Sequence, residues 1–252
     1  MQKPPDFAEL SCQQCAKACD LGFEFSMAFQ PIIDWSHKRV FAYEALARGP
    51  EGQGAGWVFS QVNDDNRYRF DQSCRVKAIQ LAAKLGIDAY LSINFMPNAV
   101  YRPELCIRTT LAAAEEYGFN KKRVIFEFTE KEQIIDKQHL RNIVKHYLEQ
   151  GFLTAIDDFG SGYNGLELLT HLSTNFVKLD MNLIRNIDQD KKRQTIVRQS
   201  VKMLQELNML VIAEGIETAE ERDMLLKLGI TLFQGFYFAE PAFEGLPKIN
   251  WD

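Results

Sequence analysis

The chain has 252 residues and a formal net charge of −5, with 46% hydrophobic and 25% charged residues. These values suit one large globular domain, argue against intrinsic disorder, and leave no basic field of the kind that gathers polymeric nucleic acid. No apolar run approaches the roughly 20 residues a membrane span needs, and the first 22 residues lack the apolar centre of a signal peptide, so a cytoplasmic protein without a membrane partner is expected.

Residues 1 to 22 read as an N-terminal extension to a domain covering 23 to 252. Cys12, Cys15 and Cys19 cluster in it and are read as reduced thiols, since five cysteines are an odd number for a disulfide framework. Strand-like runs rich in Val, Ile, Phe and Tyr follow near 26 to 34 and 40 to 47. Only Trp35 to Arg39 separates these two, too short a link for a parallel crossover, so they form a hairpin. The Gly-rich stretch from Gly49 to Gly56 reads as a loop. Further strands are expected near 90 to 95, 123 to 129, 153 to 158, 176 to 180, 210 to 214 and 231 to 236. Helical patterns fall near 66 to 85, 104 to 117, 132 to 150, 165 to 171, 191 to 208 and 218 to 228. Cys74 and Cys106 sit on the faces of two of these helices. Thr218 with Glu221 three residues on has capping-box spacing, and Gly229 closes that last helix. Eight strands alternating with helices predict an α/β fold, a TIM-like (β/α)₈ barrel with one antiparallel strand near the N-terminus.

Each apolar run ends in a residue able to serve chemistry: Gln30, Glu44, Asn94, Glu127, Asp157-Asp158, Lys178 with Asp180, Glu214 and Gln234. In such a barrel the loops leaving the strands share one rim. Strand periodicity sets Val124, Phe126 and Phe128 on one face and Ile125, Glu127 and Thr129 on the other, which turns Glu127 to the barrel axis. The same count pairs Lys178 with Asp180, and Ser92 with Asn94. A single strand-end acid such as Glu44 or Glu217 is as readily explained by a neighbouring lysine or a helix cap. The whole set is not, because like charges crowded together need a cation among them, and Lys178 is the one inward cation that strand phase assigns. Carboxylate and amide oxygens from Glu44, Asn94, Glu127, Asp157, Asp158 and Glu214 suit Mg²⁺ or Mn²⁺. His37, His139, His146 and His171 fall outside the strand ends, which argues against a histidine zinc site.

Adjacent Asp157 and Asp158 suit a pair of ions clamping the oxygens of a phosphoryl displacement, and phosphodiester hydrolysis is the reaction that fits. Lys178 would orient water or stabilise developing charge, and Arg48 would fork onto a phosphate oxygen. The Gly-rich run Asp158 to Gly165 reads as a loop that orders around an ion. Asp-Phe-Gly also occurs in protein kinases, but no Gly-rich phosphate loop or His-Arg-Asp sequence accompanies it here. A third reading makes Lys178 a Schiff-base lysine of an aldolase-like barrel.

From about Phe25 to Pro241 the chain resembles the EAL domain family of cyclic di-GMP phosphodiesterases. The segments that carry the resemblance are Phe29-Gln30-Pro31-Ile32, Glu44-Ala45-Leu46-Ala47-Arg48, Asn94, Glu127-Phe128-Thr129-Glu130, Asp157-Asp158-Phe159-Gly160, Lys178-Leu179-Asp180, Ala213-Glu214-Gly215-Ile216-Glu217 and Gln234-Gly235-Phe236. The resemblance implies that Glu44, Asn94, Glu127 and Asp157 are metal ligands, with Asp158 on a second metal. It makes Glu214 a further metal-site residue and general base, and Lys178 the contact to the catalytic water. Gln30, Arg48 and Gln234 match substrate-side positions; Glu130 matches an anchor of the loop after Asp158; Asp180 and Glu217 match supporting acids. The implied reaction opens cyclic di-GMP to the linear dinucleotide pGpG in a homodimer that uses two Mg²⁺ or Mn²⁺ ions per site, with a non-catalytic cyclic di-GMP receptor as the alternative. Two segments depart from the family pattern. Leu172-Ser173-Thr174-Asn175 stands where Leu-Pro-Val-Asp is common, near the family's dimer contact, and the loop reads Tyr163-Asn164-Gly165-Leu166 where Ser-Ser is usual.

Overall fold

A computed structural model describes residues 21–100, 102–129, 136–162 and 165–252. The Cys12, Cys15 and Cys19 cluster, Glu130 and Tyr163-Asn164 lie outside the described residues. In chain order the elements are β1 (Ser26–Asp34), β2 (Arg39–Arg48), α1 (Ala55–Phe59), α2 (Arg67–Lys84), β3 (Tyr90–Asn94), α3 (Pro103–Cys106), α4 (Arg108–Glu116) and β4 (Val124–Thr129). There follow α5 (Lys137–Glu149), β5 (Leu153–Phe159), α6 (Gly165–His171), β6 (Phe176–Leu179), α7 (Met181–Ile184), α8 (Lys191–Glu206), β7 (Leu210–Ala213), α9 (Ala219–Lys227), β8 (Leu232–Phe233) and β9 (Ala242–Phe243). Among the described residues no helix is long and apolar enough to cross a membrane.

Strands β2 to β8 lie side by side in sequence order, each parallel to the next. β1 runs antiparallel to both β2 and β8 and closes the ring. The expected hairpin is therefore the closing piece of an eight-stranded barrel, and β9 adds outside the ring as a short antiparallel partner of β1.

The alternation of side chains builds two apolar layers. Ile32, Ala42, Ile125, Ala155, Phe176, Ile212 and Leu232 fill the lower barrel. Phe29, Leu91, Val124, Phe126, Phe128, Val177 and Ala213 point the other way and pack with Ile79, Val144, Val197 and Leu225 of the surrounding helices. The lower barrel is a packed plug, so water and solutes reach the axis only from the other mouth.

Local chemistry explains the element ends. Asp136 and Asp190 cap α5 and α8, accepting from His139 N and from Lys192 N and Arg193 N. Thr218 caps α9 by accepting from Glu221 N at 3.2 Å, whereas the Glu221 carboxylate accepts instead from Glu217 N at 2.9 Å and Asn186 N at 2.8 Å, tying the β6 and β7 loops together. The helical pattern over 104–117 breaks into α3 and α4 at buried Ile107, which ends one helix and starts the next. α1 begins at Ala55, inside the stretch expected as a loop, and α7 and β9 have no counterpart among the expected elements.

Candidate active site

Nine of the expected residues meet at the open mouth: Gln30, Glu44, Asn94, Glu127, Asp157, Asp158 and Lys178 sit on strands, and Glu214 and Gln234 are the first residues past β7 and β8. β2, β3 and β4 set Glu44 beside Ser92 and Asn94 beside Glu127, while Ala155, two residues before Asp157, pairs with both Glu127 and Phe176. Lys178 on β6 lies two residues beyond Phe176 and so points inward above the plug. Gln30 reaches the same mouth by another route. It sits in the middle of β1, not at its end, opposite Glu44 in the antiparallel ladder; the carboxyl end of β1, Asp34, is at the opposite rim with His37 and Arg39.

Lys178 is fully buried at the centre. Its Nζ lies 3.2 Å from Glu44 Oε2, 2.8 Å from Glu127 Oε2, 3.2 Å from Asp157 Oδ1 and 2.7 Å from Glu214 Oε1. Glu44 also accepts from Asn94 Nδ2 at 2.8 Å and from Gln234 Nε2 at 2.7 Å. Gln234 Nε2 approaches Gln30 Oε1 at 3.2 Å, and Gln30 Nε2 donates to Ala239 O at 3.2 Å. Ser92, which strand phase aligned with Asn94 without a role, donates its hydroxyl to Glu127 Oε1. Thr129 Oγ1 donates to Asp158 Oδ2 at 2.8 Å.

The electrostatics follow from one ammonium facing four buried or nearly buried carboxylates. Burial raises Glu127, and Glu44 and Asp157 add to it, so that despite Lys178 its carboxyl is pushed up to about 8. Burial, then the Asp157 charge, holds Glu214 well above the usual carboxylate range, and burial with Glu44 and Asp158 nearby raises Asp157. Burial works against Glu44 too, but Lys178 and the amides of Gln234 and Asn94 outweigh it and keep it low. Burial alone would lower Lys178; the four carboxylates overcome it and hold the ammonium well above its ordinary range. An ammonium enclosed by four carboxylates is a poor nucleophile, which counts against the Schiff-base reading.

The residue set fits hard divalent cations. Asp157 Oδ1 is buried and makes no hydrogen bond, its approach to Lys178 lacking the geometry for one. Carboxylate oxygens of Glu44, Glu127 and Asp157 lie within 4.8 Å of one another, as do those of Asp157, Asp158 and Glu214. Asp157 is common to both groups, the arrangement two neighbouring ions need.

The loops that carry Asp158 and Glu214 depend on glycine. Gly160 (φ 94°) and Gly215 (φ 69°) both adopt the left-handed region, and a Cβ on either would run into Leu183 or Met181 of α7. Asp158 itself has φ 57°. The remaining expected residues surround the cluster more loosely. Arg48 ends β2, its Nη1 donating to Ala47 O at 2.9 Å. Asp180 caps α7 by accepting from Asn182 N at 2.8 Å, and Glu217 pairs with Arg185 at 2.6 Å.

Comparison with known proteins agrees with this construction. A standalone EAL protein of Vibrio cholerae O395, solved in its c-di-GMP bound form, superposes with a TM-score of 0.89 at 54% identity, covering 92% of this chain and 98% of that one. Klebsiella pneumoniae BlrP1, solved in a manganese/cy-diGMP complex, superposes with a TM-score of 0.85 at 35% identity over 89% of this chain and 58% of that one. Curated relatives from Escherichia coli K12 include the blue light- and temperature-regulated antirepressor BluF, 30% identical over 98% of this chain, and the probable cyclic di-GMP phosphodiesterase PdeG, 29% identical over 85%. The chain spans 61% of the length of BluF and 44% of that of PdeG. The EAL domain model matches residues 13–241, taking in every strand of the barrel and every residue gathered round Lys178, and the chain belongs to the EAL domain family.

Proposed function

We propose that this protein is a metal-dependent phosphodiesterase that hydrolyses cyclic di-GMP to linear pGpG and so lowers the level of that second messenger. The observation that carries the reading is the cluster of four carboxylates around Lys178, with Asp157 common to two groups of carboxylate oxygens that could each hold a cation at the open mouth. Glu44, Asn94, Glu127, Asp157, Asp158 and Glu214 would hold two Mg²⁺ or Mn²⁺ ions, with Asp157 shared. Bound there, such ions neutralise the phosphate and lower the pKa of the attacking water.

The other roles belong to the chain. Lys178, held cationic by its neighbours, orients the water and opposes the charge that builds on the phosphoryl oxygens. Glu214, which reaches the cluster from the rim with its Oε1 2.7 Å from Lys178 Nζ, takes the water's proton. Arg48 forks onto a phosphate oxygen, and Gln30 and Gln234 meet the nucleotide from the β1 and β8 side. Glu130 anchors the β5 loop, and Asp180 and Glu217 support the neighbouring turns. The reading includes a domain from residue 23 to 252 behind a short extension, a homodimer and a cytoplasmic location.

Purified protein incubated with cyclic di-GMP, with and without Mg²⁺ or Mn²⁺, followed by product chromatography, tests the proposal: pGpG forms only with metal. BluF is named an antirepressor and not a hydrolase, and the similarity to it favours a second reading in which the chain cleaves nothing; the form this reading takes is a receptor that binds cyclic di-GMP. Binding with no pGpG under either metal would establish that one instead.

A further inference from the structure

Beneath the mouth lies a second charged group that the reaction above does not use. Asp71 and Arg75 stand one turn apart on the inner face of α2, both buried, with Arg75 fully so. Arg75 Nη2 donates to Asp71 Oδ2, and Arg75 Nη1 donates to Tyr147 Oη on α5 at 3.0 Å. The guanidinium lies 5.7, 5.3 and 5.9 Å from the ring centres of Phe95, Phe126 and Tyr147. The free carboxylate oxygen of the pair, Asp71 Oδ1, accepts from the backbone N–H of Met96 at 2.9 Å.

Stability alone does not account for this arrangement, because a buried ion pair is as often a cost as a gain against apolar side chains of the same volume, and Arg75 Nε is buried without an acceptor. Its place in the fold is informative. Asn94 ends β3, Phe95 N donates to Glu127 O at 2.9 Å, and Met96 N is the next donor along the chain. The backbone leaving Asn94 is thus fixed at both following residues, one bond going to β4 and the other to Asp71.

We propose that the Asp71–Arg75 pair positions Asn94 for the divalent cation: Asp71 Oδ1 pins the chain at Met96, and Arg75, gripped by the aromatic box and Tyr147, pins Asp71. The inference rests on Asn94 being a cation ligand. Asp71, Arg75 and Tyr147 are positioning residues that never touch the ion. Groups that orient a ligand from behind commonly change metal affinity about 10–100-fold when removed.

The test is Mn²⁺ binding to purified protein, followed by electron paramagnetic resonance of the free ion, with a thermal melt of each variant. Asp71→Leu/Arg75→Met removes the charges and the acceptor together, and it should melt near the parent while binding Mn²⁺ roughly tenfold more weakly or worse. Asp71→Asn/Arg75→Met removes the charges but leaves an oxygen for Met96 N, and should restore most of that affinity. Met96→Pro removes the N–H together with a side chain packed on the core, at a residue whose φ is −96°, so Met96→Ala, which keeps the N–H, is its control: the proline variant should reproduce the loss and the alanine variant should not, even if the apolar pair fails to fold. Folded Asp71→Leu/Arg75→Met or Met96→Pro binding Mn²⁺ like the parent, while Asn94→Ala binds it poorly, would overturn the inference. Normal Mn²⁺ binding by Asn94→Ala would overturn instead the assignment of Asn94 on which it rests.

Discussion

At the scale of single residues, the centre is organised by Lys178 as much as by the acids around it. Its ammonium is the shared neighbour of Glu44, Glu127, Asp157 and Glu214, so removing it changes how all four are held. Lys178→Ala should lower kcat by about 100-fold or more with little change in KM, as expected for a group whose contact tightens only in the transition state. Glu44→Ala should fail differently. Glu44 joins Lys178, Asn94 and Gln234, and its loss should abolish hydrolysis through weaker Mn²⁺ binding, measurable as a metal requirement pushed out of range. Most of these residues were legible in the sequence because strand period fixes which side chains share the axis. The Ser92 hydrogen bond and the buried Asp71–Arg75 pair were not. An Asp and an Arg four apart on a helix look alike whether they face water or core, and only the packing of α2 on β3 decides it.

At the scale of elements, the β1–β2 hairpin does two separate jobs at its two ends. Its middle delivers Gln30 and Glu44 to the mouth, and its turn is fastened at the far rim by Asp34. Burial works against ionising Asp34, but hydrogen bonds from His37 and Arg39 outweigh it and keep its carboxyl below its ordinary value of 3.8. A carboxyl lowered by folding adds stability above that value, and the contribution fades as pH falls through the folded pKa. The gap in urea midpoint between the parent and Asp34→Asn should be widest above the ordinary carboxyl value of 3.8 and should narrow as pH falls below it; a gap independent of pH would mean that packing, not charge, holds the turn. The hairpin was readable from its five-residue link, whereas α7 was not. Four residues are too few to show a period, and α7 owes its place to the room that Gly160 and Gly215 leave for Leu183 and Met181.

At the scale of the whole molecule, a barrel plugged below and acidic above should be steadied by the divalent ions proposed for it. Divalent cation that binds only the folded chain adds about 2.7 kcal/mol at a concentration 100 times Kd, which for a chain of this length raises Tm by roughly 5–10 °C. Thermal melts in EDTA and in excess Mn²⁺ should differ by that amount, and the Glu44→Ala difference should be smaller, since Glu44 belongs to one of the two carboxylate groups. The circular order of the strands and the antiparallel first strand followed from the alternation of elements and the short link, but the length of the last stave did not: β8 is only Leu232–Phe233, within the expected 231 to 236. That short stave has a physical consequence. It meets β1 at two register positions, Ile33 with Phe233 and Asp34 with Leu232, and just past them Gln234 reaches across to Gln30. A nucleotide gripped by both glutamines would clasp the barrel at its thinnest joint, so occupancy of the mouth should be audible there as slower exchange of backbone deuterium, the cylinder breathing less when it is full.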